Sequence, residues 1–189
     1  MSTVETVVSF WLDELSPADW YNSSPDLDAQ ITDRFQDTWT RAMAGELGFW
    51  LTYPTGALAY IILTDQFPRN MYRDTEDAFA SDPLARAVAK RAIHEGWDMR
   101  IDPPARQFFY MPLMHSELLS DQDRAVRLFK TRMPDSENSL LHARAHREVI
   151  RSYGRFPTRN LALGRHNTAP EAAYLADGGY GTTLRAMQD

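Results

Sequence analysis

Apolar residues near the start of the chain repeat with the period of a helix. Val4, Val7, Val8, Trp11, Leu12 and Leu15 step by three and one without a miss, a spacing that lines one helical face. Ser2-x-x-Glu5 has the form of a capping box before them, and Pro17 closes the run. Trp20 and Tyr21 fall in the connection that follows. Ser24-Pro25 reads as an N-cap and a first-turn proline, after which Ile31, Phe35, Trp39 and Ala42 extend a second stripe to about Glu46. Asp28 and Arg34 on that helix read as surface charges.

The pattern changes after Pro54. Ala57, Leu58, Ala59, Tyr60, Ile61, Ile62 and Leu63 are apolar nearly all round, which predicts a helix buried on every side. It should stop by Phe67, because Pro68 restricts the residue before it and cannot continue the ladder. Asp65, Gln66, Arg69 and Asn70 cluster at this exit. In a last turn the helix dipole disfavours an anion by a few tenths to about 1 kcal/mol. Asp65 therefore needs a cation; Arg69 is near in sequence, and an arginine from elsewhere fits equally well.

The later elements follow the same period. Asp82-Pro83 predicts an N-cap and Gly96 a C-cap around Leu84, Ala85, Val88 and Ala92. Pro112 interrupts the aromatic run Phe108-Phe109-Tyr110. His115 shares helical spacing with Met111, Met114 and Leu118 and should face inward, whereas Glu117 points elsewhere. Ser120 should cap a helix to about Arg132, and Ser136 the last long one, ending at Gly154 with His142, Ala145, His146, Val149, Ile150 and Tyr153 on its inner stripe. Thr168-x-x-Glu171 is a second capping box. No useful strand pattern occurs, so an all-α class is predicted: one domain over residues 1–189, a compact array of about eight helices.

Composition narrows the chemistry. The 189 residues contain no cysteine, which excludes thiolate metal sites, cysteine catalysis and a disulfide scaffold. No basic-then-apolar leader opens the chain, and its longest apolar run is far short of the roughly 20 residues of a membrane span. A cytoplasmic protein without membrane partners is expected. A net charge of -6 argues against nucleic acid as a bulk partner. All but two of the 20 basic residues are arginine, a bias that codon usage can produce but that also supplies planar forks for carboxylates and phosphates.

The last long helix exits into Arg155-Phe156-Pro157-Thr158-Arg159-Asn160, an echo of Gln66-Phe67-Pro68-Arg69-Asn70. Two independent helix stops explain the echo; so does one polar pocket flanked by both Arg-Asn pairs. Six arginines between Arg144 and Arg165 face a single acid, Glu148. They read as a solvated face paired with acids elsewhere, as an anion site or, less well, as an RNA-facing patch. His142 and His146 have the i, i+4 spacing of metal ligands, but no acid completes a motif. No metal or cofactor is therefore predicted. The tail Gly178-Gly179-Tyr180-Gly181 lacks the Lys-Ser/Thr of a phosphate loop.

Several motifs occur together in order: Asp65 to Asn70, Ala78-Phe79-Ala80-x-Asp82, Tyr110-Met111-Pro112-x-Met114-His115-Ser116-Glu117, Gly154-Arg155-Phe156-Pro157-x-Arg159-Asn160 and Gly164-Arg165. With Phe10-Trp11 and Gly178-Gly179, they span almost the whole chain, which resembles the bacterial domain-of-unknown-function family 924. The resemblance implies an all-α, tetratricopeptide-like fold and no named activity. This chain has Thr158 where that family usually has His, and Asp74 where it often has Gly.

Two functions of different classes fit. One is a pocket for a small anionic molecule, a carboxylate or phosphate. Asp65, His115 and Glu117 would supply acid–base capacity there, and Gln66, Arg69, Asn70, His146, Arg155, Arg159, Asn160 and Arg165 would line it. The other is a scaffold offering a groove to a peptide partner, with the same motifs as structural clamps. No 34-residue repeat is present, which disfavours a long peptide-binding superhelix.

Overall fold

The computed structural model describes residues 2–22 and 24–188. They form helices joined by turns, and no strand occurs among them, as the periodicity predicts. The chain divides into two compact units, Met1–Pro112 and Leu113–Asp189. No helix among the described residues is long and apolar enough to cross a membrane.

In the first unit, α1 (Val4–Ser9) runs on into a π turn, Phe10–Glu14. Its cap is Thr3 rather than Ser2: the Thr3 side chain accepts from Thr6 N–H, while the Ser2 hydroxyl donates to the Arg34 carbonyl. Helix α2 (Pro25–Met43) begins at Ser24, as predicted. Helix α3 (Pro54–Ile61) is buried from Gly56 onward and packs against α1 and α5 (Asp82–His94).

The predicted stop at Phe67 does not occur. Helix α3 passes through a π turn, Ile62–Gln66, into α4 (Phe67–Met71), and Pro68 sits in the first turn of α4. The reason is hydrogen-bond accounting. In an α-helix Pro68 would leave the Thr64 carbonyl without a donor and collide with it. In the wider turn Phe67 N–H reaches back to the Ile62 carbonyl. The Thr64 carbonyl accepts instead from the Ser81 hydroxyl at 2.6 Å, and that hydroxyl accepts from Trp39 Nε1–H at 3.0 Å. Ser81, not Asp82, is therefore the residue at the N-terminus of α5.

Phe67 is the hub of this unit's core. Its ring meets Phe35 at 4.6 Å, Trp11 at 5.4 Å and Phe10 at 6.0 Å between centroids. Such pairs are worth about 0.5–1.5 kcal/mol each beyond area burial. The α3–α4 path is thus held by packing where local propensity alone would end it.

The division between the units falls within α6 (Met111–Met114). Helix α6 ends before His115, so helical spacing does not carry through to Leu118, which is 52% exposed rather than inward. Helix α7 (Leu119–Arg132) starts after Leu118, two residues ahead of the predicted Ser120 cap. With α8 (Glu137–Tyr153) it forms an antiparallel hairpin across a four-residue connection. Gly154, at φ +71°, ends α8 in the left-handed region that favours glycine, and its N–H bonds the Ile150 carbonyl at 2.8 Å. Helix α9 (Ala169–Ala176) carries the predicted Thr168/Glu171 capping box, and α10 (Tyr180–Ala186) closes the described chain. Val149, Ile150 and Phe156 form this unit's apolar centre, with Tyr153, Tyr174 and Tyr180 against it.

Candidate functional site

The first exit is a charge clamp. Asp65 is fully buried, and Arg69, one helical turn on, lies 3.7 Å from its carboxylate and also bonds its carbonyl. The same guanidinium forks onto Asp82 at 3.1 and 3.2 Å. Gln66 donates to the Asp65 carboxylate. Asn70 donates to Asp28 at 2.8 Å, where Arg73 also binds at 2.9 Å. Asp28, read from sequence as a surface charge, is thus the anchor of α4 on α2.

The second exit contains two further clamps. Glu117 accepts both arms of Arg165, at 2.8 and 2.9 Å, and the Phe156 N–H at 2.8 Å. Burial works against its charge. The Arg165 fork, the Phe156 N–H and the fields of Arg165 and Arg159 outweigh burial and hold the Glu117 pKa below its ordinary value. Arg155 forks onto Glu171 at 2.6 and 2.8 Å. Because Glu171 also accepts the Thr168 N–H at 2.7 Å, one carboxylate both caps α9 and ties it to the end of α8. Asn160 donates to Asn167 at 2.7 Å, closing the loop between them.

Beside these clamps lies a small, partly open pocket of about 100 Å³, lined by His146, Val149, Phe156, Pro157, Thr158, Arg159, Tyr174 and Tyr180. The Arg159 guanidinium lies over the Phe156 ring, 4.5 Å from its centre. His146 is one turn beyond His142 on α8, and its Nδ1 is 2.8 Å from the His142 carbonyl. A carbonyl only accepts, so Nδ1 carries the proton. Burial, then the neighbouring His115, Arg159 and His142, depress the His146 pKa to about 3. The imidazole is neutral at physiological pH, and Nε2 carries its lone pair. The His115 ring is 6.2 Å from that of His146 between centroids.

Within Leu113–Asp189 the structure therefore groups His146 and Arg159 about one small pocket, brings the His115 ring to 6.2 Å from that of His146, and sets Glu117 with Arg165 and Arg155 with Glu171. Within Met1–Pro112 it groups Asp65, Gln66 and Arg69 with Asp82, and Asn70 with Asp28. Sequence reasoning missed Tyr180 and Thr158 as cavity walls. Tyr180 follows two glycines in a tail rejected as a phosphate loop, and its partners lie 34 and 38 residues earlier. Among the described residues no group of three or more His, Asp or Glu is arranged to hold a metal ion.

The sequence that builds this all-helical fold matches a family described only as bacterial protein of unknown function (DUF924). That family's profile covers residues 7–179, and the chain belongs to it. The chain is also similar to a solved protein of unknown function from Agrobacterium tumefaciens. The two are 38% identical, with a TM-score of 0.87 over 92% of this chain and 97% of that one. No curated protein matches the chain.

Proposed function

We propose that the protein binds the carboxylate or phosphate group of a small molecule in the cavity of the second unit. Arg159 acts as the cation there, and neutral His146 as the acid–base group. The observation that carries this reading is the pairing of the Arg159 guanidinium with the neutral His146 imidazole as walls of one small pocket of about 100 Å³. A water occupies about 30 Å³, and a cavity of about 150 Å³ accepts benzene. The size therefore suits an oxyanion head group rather than a sugar or a nucleobase. Glu117, Arg165, Arg155 and Glu171 act in this reading as the frame that holds the second exit in place.

A thermal-shift screen of the full chain against small oxyanions, inorganic phosphate and acetate included, tests it. Saturation a hundredfold above Kd stabilises by about 2.7 kcal/mol, a rise of roughly 5–10 °C for a chain of this size. Arg159→Ala should lose the rise while keeping the helical circular dichroism. A panel without any stabilising oxyanion contradicts the reading.

A further inference from the structure

The tail Gly178-Gly179-Tyr180 brings one wall of the pocket, Tyr180, and its geometry is specific. Gly179 adopts φ +56°, ψ -129°, a conformation that L side chains rarely enter, and α10 starts at the next residue. That start places the Tyr180 hydroxyl against α8, 2.7 Å from His142 Nδ1 and 3.1 Å from His146 Nδ1. The proton positions then follow in sequence. His146 Nδ1 bears hydrogen, because it also meets the His142 carbonyl at 2.8 Å. Towards His146 the Tyr180 oxygen can therefore only accept. Its own O–H is left for His142 Nδ1, which must present a lone pair. Burial favours the same state: it raises the Tyr180 phenol pKa, with Tyr174 adding to the effect, and lowers that of His142.

We propose that His146, Tyr180 and His142 form a proton relay running from the cavity to His142. A ligand proton passes to His146 Nε2 as the His146 Nδ1 proton moves to Tyr180 and the phenolic proton moves to His142 Nδ1. The products are the deprotonated ligand, neutral His146 with its hydrogen on Nε2, neutral Tyr180 and a His142 imidazolium. No electrons change hands. His146 alone is a poor base, because burial first, and then His115 and Arg159, oppose a positive charge on it. The relay moves that charge one helical turn away, while Arg159 stays beside the anion left behind. Tyr180 is thus a positioning and relay residue, and the ligand is one that gives up a proton on binding or reaction.

The identity of the ligand rests on the proposed anion site; the wiring does not. The test therefore uses the ligand-free full chain with ¹⁵N-labelled histidine. Imidazole ¹H–¹⁵N correlation spectra should show hydrogen on Nδ1 of His146 and on Nε2 of His142. Tyr180→Phe should keep the His146 tautomer, through its carbonyl bond, and slow solvent exchange of the Nδ1 proton by about tenfold or more. His142→Gln retains an acceptor for the phenol but cannot carry a proton onward, so it should slow exchange equally. Finding His146 with hydrogen on Nε2, or exchange unchanged in both variants, overturns the relay. Because no anion is present, these outcomes stand apart from success or failure of the oxyanion screen.

Discussion

At residues 66–70 the helix runs on through Phe67-Pro68, and Arg69 is spent on the carboxylates of Asp65 and Asp82. At residues 155–160 Gly154 has already ended α8, Phe156-Pro157 leads into a short 3-10 turn, and Arg159 lies over an aromatic ring beside a cavity. The two segments share Phe-Pro and Arg-Asn. They differ in what precedes them and in how the chain leaves the helix. In the first, a π turn and Ser81 take up the carbonyl that proline would strand, so the chain stays helical and the arginine stays on a helix face. In the second, a left-handed glycine breaks the helix, Arg165 pairs with Glu117, Arg155 pairs with Glu171, and Arg159 lies over the Phe156 ring. The same residue words therefore build a clamp in one place and a cavity wall in the other.

The largest effect that would separate the two belongs to Arg69. Arg69→Ala leaves the buried Asp65 carboxylate without its helical partner, and breaking such a pair costs about 3–5 kcal/mol. Urea unfolding measures it; a loss below about 1 kcal/mol would show that Arg69 is no clamp. Next is the frame of the second exit. Glu117→Gln weakens the Arg165 fork and the bond to Phe156 N–H, with an expected cost of about 2 kcal/mol in the same assay.

The third prediction concerns pH. The folded pKa of His146 is depressed, so the unfolded chain binds the extra proton first. Stability from this group is complete above the unfolded value of about 6.5 and falls with pH towards about 3, by up to about 1.4 kcal/mol per unit. Glu117, also depressed, adds a loss beginning below the unfolded carboxylate value of about 4.3. His146→Gln should shrink the upper window to the part that His142, also depressed by burial, contributes, and leave the lower one. The smallest effect is at Asp74, which stands at φ +61°. Asp74→Gly should raise stability by a few tenths to about 1 kcal/mol, because glycine enters that region without the Cβ penalty.

Much of the fold was legible because its signals are local. The stripe of α2, the all-round burial of α3, the glycine stop of α8 and the Thr168/Glu171 box each lie within a few residues of what they specify. Asp65 needing a cation was legible for the same reason; that Arg69 rather than a distant arginine supplies it came from the structure. The π turn was not, because the partner that makes it tolerable, Ser81, lies 17 residues from Thr64. The cavity was half legible. His142 and His146 announced a shared helix face, and Arg159 a cation. Tyr180 was hidden behind a glycine pair whose local reading pointed to a failed phosphate loop. Thr158, noted as a departure from the family's histidine, turned out to line the cavity itself.

The contrast between Arg69 as clamp and Arg159 as ligand residue is tested most directly by urea unfolding with and without the stabilising oxyanion, phosphate or acetate. Wild type, Arg69→Ala and Arg159→Ala are compared. Arg69→Ala should unfold at lower urea in both conditions yet keep the full increment from the anion. Arg159→Ala should lose that increment. An increment that survives in Arg159→Ala, or disappears in folded Arg69→Ala, would contradict the account.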